Sequence, residues 1–399
     1  MWWCAVVVVL VLVAGGGVVD ALDLHLVDKG IANEYNARCL DGSLPAFYFS
    51  PASNKTHSND WVLYFRGGGW CYTEAECAQR AKTQLGSSTQ LGKTFNYKGG
   101  YLAPDSTVNP VFSGFNRVLL WYCDGASFSG NRAQPVVHNN QTLHYRGFAN
   151  LRAILATLAK DHGFGSARQV LLSGGSAGGL ATFLHADTVR AMLPRTATAF
   201  KASPVSGFFL EHDDAGGQPL YPDRMRNVFA MQNCSAGVDQ SCIKANAHDP
   251  SACMFAQHTY PHMESPIFLL QSLVDAWQMG NVFPANASWK DCANTGEFQH
   301  CSTQEIAQLN AFGFTMLHAL NGTRTFSSPG NGGFFYSCRT HVAAQGSAWE
   351  KFTVEGVVMR DAANAWWLDS TTAPAAKHTH LQPKLLQPHT PHQTNPTCS

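Results

Sequence analysis

The chain has 399 residues, with 27 Lys and Arg balancing 27 Asp and Glu and only 14% of positions charged. Without net charge or a basic run, nothing draws it to a phosphate backbone, so nucleic acid is excluded as an expected partner. The length suffices for one large domain with an extensive core.

The first stretch is apolar from Trp2 to Val19, and the first charge is Asp20. Such a run, followed by Val19-Asp20-Ala21, predicts a signal peptide over residues 1–21, cut after Ala21, with a retained signal anchor as the alternative. No other stretch is long and apolar enough to span a bilayer, so a secreted, extracellular protein without stable membrane association is expected. Of twelve cysteines, cleavage removes Cys4. The others read as disulfides formed in an oxidising compartment, plausibly local ones such as Cys71 with Cys77 and Cys292 with Cys301. Their odd number leaves one thiol over, for which Cys398 is the expected choice. No C-x-x-C pair occurs, and no metal is expected. Acceptor sequons at Asn54, Asn140, Asn233, Asn286 and Asn321 fit the same secretory route, while Asn395 is ruled out by Pro396.

Continuous apolar runs at residues 61–65, 117–123, 169–174 and 266–272 predict strands buried on both faces. Between them, Phe148, Leu151, Ile154, Leu155 and Leu158 mark one face of a helix ending near Gly163, and residues 177–194 form a second helix stopped at Pro194. Strands alternating with helices predict an α/β fold with a mainly parallel sheet flanked by helices, in a single domain over 22–370. Residues 210–262 read as a disulfide-tied insertion. Residues 371–399, rich in Pro, His, Thr and Gln, read as a disordered tail.

Gly174-Gly175-Ser176-Ala177-Gly178 fits G-x-S-x-G with a strand before it and a helix after, the context in which that motif presents a nucleophile. Elsewhere such a run is only a flexible turn. A serine hydroxyl needs an imidazole to take its proton and a carboxylate to orient that imidazole. Asp275 follows the apolar run before it, and His341 follows "GGFFYSCRT", in the chain order Ser, Asp, His that α/β-hydrolases use. His258, His262, His300 and His318 compete for the base but lack a preceding strand-like run. The main-chain N–H groups of Gly69 and Trp70, in "YFRGGGWC", and of Ala177 are the expected oxyanion donors. The glycine cluster has no G-K-[ST], which rules out a phosphate cradle.

Together, "YFRGGGWC", "WYCDGASFSG", "LLSGGSAGGLATFLHAD", "LVDAWQ" and "SCRTH" resemble the pectin acetylesterase and Notum family of secreted serine carboxylesterases, over about residues 24 to 345 and nearest its plant branch. The resemblance implies an α/β-hydrolase-like fold and hydrolysis of an O-acyl ester, with nucleophile Ser176, base His341, orienter Asp275 and oxyanion donors Gly69, Trp70 and Ala177. The chain departs from plant members at His185-Ala186-Asp187, at "SPVSGFF" over 203–209 and at Val342, changes that spare the triad. The expected function is hydrolysis of acetyl esters on a pectin-like cell-wall polysaccharide by a monomer without cofactor. Removal of a longer acyl chain from protein or lipid, as by Notum, is the alternative. A non-catalytic carbohydrate-binding protein on a hydrolase scaffold is the third reading.

Overall fold

The computed structural model describes residues 21–283, 292, 298–369, 380–381 and 397–398. Asn286 and the predicted signal peptide up to residue 20 lie outside the described residues. In chain order the strands are β1 (Leu22–Leu26), β2 (Ala46–Ser50), β3 (Asp60–Phe65), β4 (Thr94–Phe95), β5 (Asn116–Leu120), β6 (Val136–His138), β7 (Gln141–Leu143), β8 (Gln169–Gly175), β9 (Ala199–Val205), β10 (Phe268–Ser272), β11 (Gly332–Tyr336), β12 (Thr353–Val354), β13 (Val357–Val358) and β14 (His380–Leu381). Among the described residues ten of them form one sheet, in the order β14-β11-β10-β9-β8-β3-β5-β2-β1-β4. From β14 to β5 every neighbouring pair is parallel. β2, β1 and β4 extend the sheet antiparallel.

β3 shows why the apolar runs lack alternation. Trp61, Leu63 and Phe65 join Val118, Leu120, Val170 and Leu172 on one face, while Val62 and Tyr64 join Leu119, Leu171 and Leu270 on the other. Both faces are covered, so the run from Trp61 to Phe65 is apolar throughout. Helices Gly147–Asp161 and Ala177–Ala191 contribute to the first of these layers, and Met359–Leu368 to the second. The first helix stops where Gly163 takes φ 82°, a left-handed conformation that glycine accepts without a Cβ clash. The architecture is the α/β-hydrolase-like one expected.

Disulfides join Cys71–Cys77 and Cys292–Cys301 as expected, and also Cys39–Cys123, Cys242–Cys253 and Cys338–Cys398. The expectation of a free Cys398 is therefore corrected: the unpaired thiol among the described residues is Cys234. It is fully buried, and burial raises its pKa to about 12, which leaves it unreactive as a thiolate. Composition concealed the pairing because the partner of Cys398 lies beside the sheet, 60 residues earlier. Within the stretch read as a tail, β14 pairs parallel with β11. Asn54, Asn140, Asn233 and Asn321 are all exposed.

Candidate active site

Because the strands from β14 to β5 are parallel, their C-terminal ends share one edge, where ligands of open α/β sheets bind. Ser176 sits at that edge, between β8 and helix Ala177–Ala191, with φ 61° and ψ −127°. A residue with a Cβ holds such a conformation only where its surroundings impose it. Here the close packing is visible: a Cβ on Gly174 would meet the Gly178 carbonyl oxygen at 2.2 Å, and one on Gly178 the Phe65 oxygen at 2.1 Å. The loop after β3 lies against the same turn, since a Cβ on Gly67 would come within 2.8 Å of the Ser176 Cβ.

Asp275 follows β10 and caps helix Ala276–Asn281, its Oδ1 accepting from the N–H groups of Trp277 at 3.1 Å and Gln278 at 3.0 Å. The carboxylate is fully buried. His341 follows β11 and places Nδ1 2.8 Å from Asp275 Oδ2 and 3.0 Å from Oδ1, with Nε2 2.7 Å from Ser176 Oγ. A carboxylate can only accept, so the proton of the neutral ring belongs on Nδ1, which leaves Nε2 to accept from the serine hydroxyl. The structure thus brings Ser176, His341 and Asp275 into one hydrogen-bonded chain. None of His258, His262, His300 and His318 lines the cavity that holds Ser176.

Gly69, with φ 64°, lines that cavity, while Trp70 and Ala177 are the chain neighbours of the lining residues Gly69 and Ser176 and do not line it themselves. The Gly68 carbonyl accepts from Arg80 Nη1 at 2.9 Å and the Gly69 carbonyl from the Tyr122 hydroxyl at 2.7 Å, which turns both oxygens into the protein. No main-chain hydrogen bond among the described residues uses the N–H of Gly69, Trp70 or Ala177. These three N–H groups are therefore not committed to the main-chain network.

The "DGASFSG" segment carries a set of supporting contacts that no local sequence pattern signals. Ser127 accepts from Trp70 Nε1 at 2.8 Å, donates to the Ala177 carbonyl at 2.8 Å, and offers its own carbonyl to His185 Nε2 at 3.0 Å. Its φ of 53° is the local sign of this bracing role. Asp124 Oδ2 holds the same loop by accepting from Ala126 and Phe128 N–H. The loop thereby couples the oxyanion segment to the serine turn.

Two buried groups at this brace oppose each other in acid. Burial depresses His185 from 6.5 to about 4, so stability is lost as pH falls through that interval, because the unfolded chain takes up the proton more readily. Burial raises Asp124 from 3.8 to about 6, so the folded state holds its proton more tightly and stability is gained as pH falls from 6 to 3.8. Each amounts to about 3 kcal/mol at its limit. His185→Gln should therefore flatten acid destabilisation, and Asp124→Asn should steepen it, as read from urea midpoints at a series of pH values. Slopes of the opposite sign would refute the assignment.

The cavity holding Ser176 has a volume of about 700 Å³ and is bounded by Arg66, Phe95, Tyr97, Lys98, Trp277 and Gln345, among others. Beside His341 the space is filled: Trp70, Phe209 and Trp277 interlock edge to face, with ring centroids 5.0 to 5.4 Å apart. Tyr221 closes the cluster at 5.8 Å from Trp277.

The family model described as pectinacetylesterase matches residues 19–399. The chain is 33% identical over 380 residues to pectin acetylesterase 5 of Arabidopsis thaliana, spanning 93% of this chain and 83% of that protein. It is 34% identical over 310 residues to pectin acetylesterase 7 of the same plant, spanning 76% of each. The palmitoleoyl-protein carboxylesterase NOTUM of Schmidtea mediterranea is 24% identical over 371 residues, 90% of this chain and 66% of that protein. Among solved structures, the Wnt deacylase Notum from Drosophila shares the fold, with TM-score 0.73, 22% identity, and coverage of 95% of this chain and 99% of that one. The chain belongs to the pectin acetylesterase family.

Proposed function

We propose that this protein is a secreted serine carboxylesterase that removes acetyl groups from a pectin-like polysaccharide. The observation that carries the reading is the hydrogen-bonded chain from Ser176 Oγ through His341 to Asp275. Ser176 attacks the acetyl carbonyl while His341 Nε2 takes its proton, and the negative charge on the carbonyl oxygen is received by the N–H groups of Gly69, Trp70 and Ala177. The imidazolium, stabilised by Asp275, returns the proton to the departing sugar oxygen. Water, activated by the same imidazole, then releases acetate from the acyl-serine. The five disulfides and the exposed sequons support secretion and glycosylation.

A short acyl group is favoured over the palmitoleoyl chain named for the Notum relatives, because Trp70, Phe209 and Tyr221 are buried and occupy the space beside the base. Acetyl and octanoyl esters of one phenol decide the point: kcat/KM on the acetyl ester should exceed that on the octanoyl ester by roughly tenfold or more. Preference for octanoyl would establish the long-chain reading instead. Acetate release from acetylated pectin tests the polymer.

A further inference from the structure

Catalysis as described leaves two charged side chains of the cavity without a role, exposed Lys98 and half-buried Arg66. Arg66 follows β3 directly and opens the glycine loop. Its guanidinium stacks on Trp121, with Cζ 3.5 Å from the ring centroid, and lies 5.7 Å from that of Phe95. Nη1 is buried without a hydrogen-bond partner, and no ion pair reaches Arg66 among the described residues. Burial pulls its pKa down only to about 10, so it stays cationic at neutral pH.

Two other partly buried cations are at least given main-chain acceptors, although Arg80 Nη2 is likewise left without a partner. Lys201 Nζ donates to the carbonyls of Trp366, Trp367 and Asp369, and Arg80 donates to those of Leu85 and Gly68. Arg66 is half-buried, and a guanidinium partly withdrawn from water with neither carbonyl nor carboxylate beside it is best completed by an anionic ligand. The cavity wall also carries Lys98 but no Asp or Glu, and Asp275 is wholly buried behind His341. Its field therefore selects for an anion.

We propose that Arg66 reads a carboxylate on the substrate: held flat by Trp121 in the cavity of Ser176, its guanidinium pairs with a galacturonate carboxylate at or beside the acetylated sugar. The proposal rests on the polysaccharide esterase reading above. Arginine suits the task better than lysine, because its planar fork matches the two carboxylate oxygens and fixes the register of the sugar, whereas exposed Lys98 supplies attraction alone.

The test compares acetylated polygalacturonate with free carboxylates, the same polymer methyl-esterified, and 4-nitrophenyl acetate. The wild-type protein should favour the ionised polymer over its methyl ester by about tenfold or more in kcat/KM. Salt raised from about 0.05 to about 0.5 M should narrow that gap. Arg66→Gln should bring the two polymers together, chiefly through KM, and Arg66→Lys should restore part of the difference. Wild-type rates that treat both polymers alike overturn the proposal, as does an Arg66→Gln protein that keeps the gap. Hydrolysis of 4-nitrophenyl acetate reports separately on the esterase reading. Titration of Ser176→Ala protein with ionised and methyl-esterified oligogalacturonate tests the carboxylate preference without turnover; equal affinity for both would refute it.

Discussion

Ser176→Ala should lower kcat on a small acetyl ester by about 10⁵- to 10⁶-fold, leaving only the slow background that oriented donors sustain. The expectation follows from what the hydroxyl touches: its one side-chain partner is His341 Nε2 at 2.7 Å, and no other group in the cavity stands in the same relation to a base. The fold should be indifferent, since Ala occupies the same backbone conformation and no structural hydrogen bond of the side chain is lost. The measurement is burst and steady-state release of phenol, with the unfolding midpoint as the control for folding. Residual activity near that of the wild type in a folded protein would dispose of the nucleophile and with it the acyl-enzyme route.

Asp275→Asn should cost about 10⁴-fold in kcat while leaving the unfolding midpoint close to that of the wild type. The two halves of this expectation come from the two duties of the carboxylate. Oδ1 caps helix Ala276–Asn281, and asparagine caps a helix as well as aspartate does. The amide oxygen must keep the position facing the Trp277 and Gln278 N–H groups, so the amide nitrogen replaces Oδ2, which lies 2.8 Å from His341 Nδ1. Nδ1 then faces a donor and must accept, which drives the ring proton onto Nε2. The imidazole that meets Ser176 is then a donor and not a base. Asp275→Ala, by contrast, should lose the cap too, at about 1 kcal/mol. If Asn and Ala prove equal in both activity and stability, the tautomer argument fails.

Much of this arrangement could be read from the sequence, for identifiable reasons. The runs at 61–65, 169–174 and 266–272 lie in or lead into strands covered on both faces, and their lack of regular apolar–polar alternation is what marks the fold class. Ser176 stands in a local motif whose glycines are required by contacts under 2.3 Å, and such contacts leave a mark in neighbouring residue types. Asp275 and His341 were found by their place after strands and by the family likeness, since nothing in an isolated Asp or His announces its partner. What escaped was held together by residues distant in the chain. Ser127 reaches Trp70 and Ala177 from 57 and 50 positions away, and neither spacing nor composition encodes such a contact. In the antiparallel edge β2-β1-β4, β1 and β4 are short and largely uncovered and leave too few apolar positions to form a pattern, while β2, buried throughout, is a run of only five residues. Nothing in the sequence marks Arg66; its stack on Trp121 and its unpartnered Nη1 set it apart.

The bond between Cys338 and Cys398 closes a ring that begins three positions before the histidine. A protease that cuts once between Leu381 and Thr397 would release nothing: the severed piece would stay tethered, and the nicked protein would migrate intact on a gel run without thiol. Only reduction would shed it, and the same step would free the strap that leads into residue 341. Purified samples that differ in activity but share an apparent mass should accordingly be weighed after treatment with dithiothreitol.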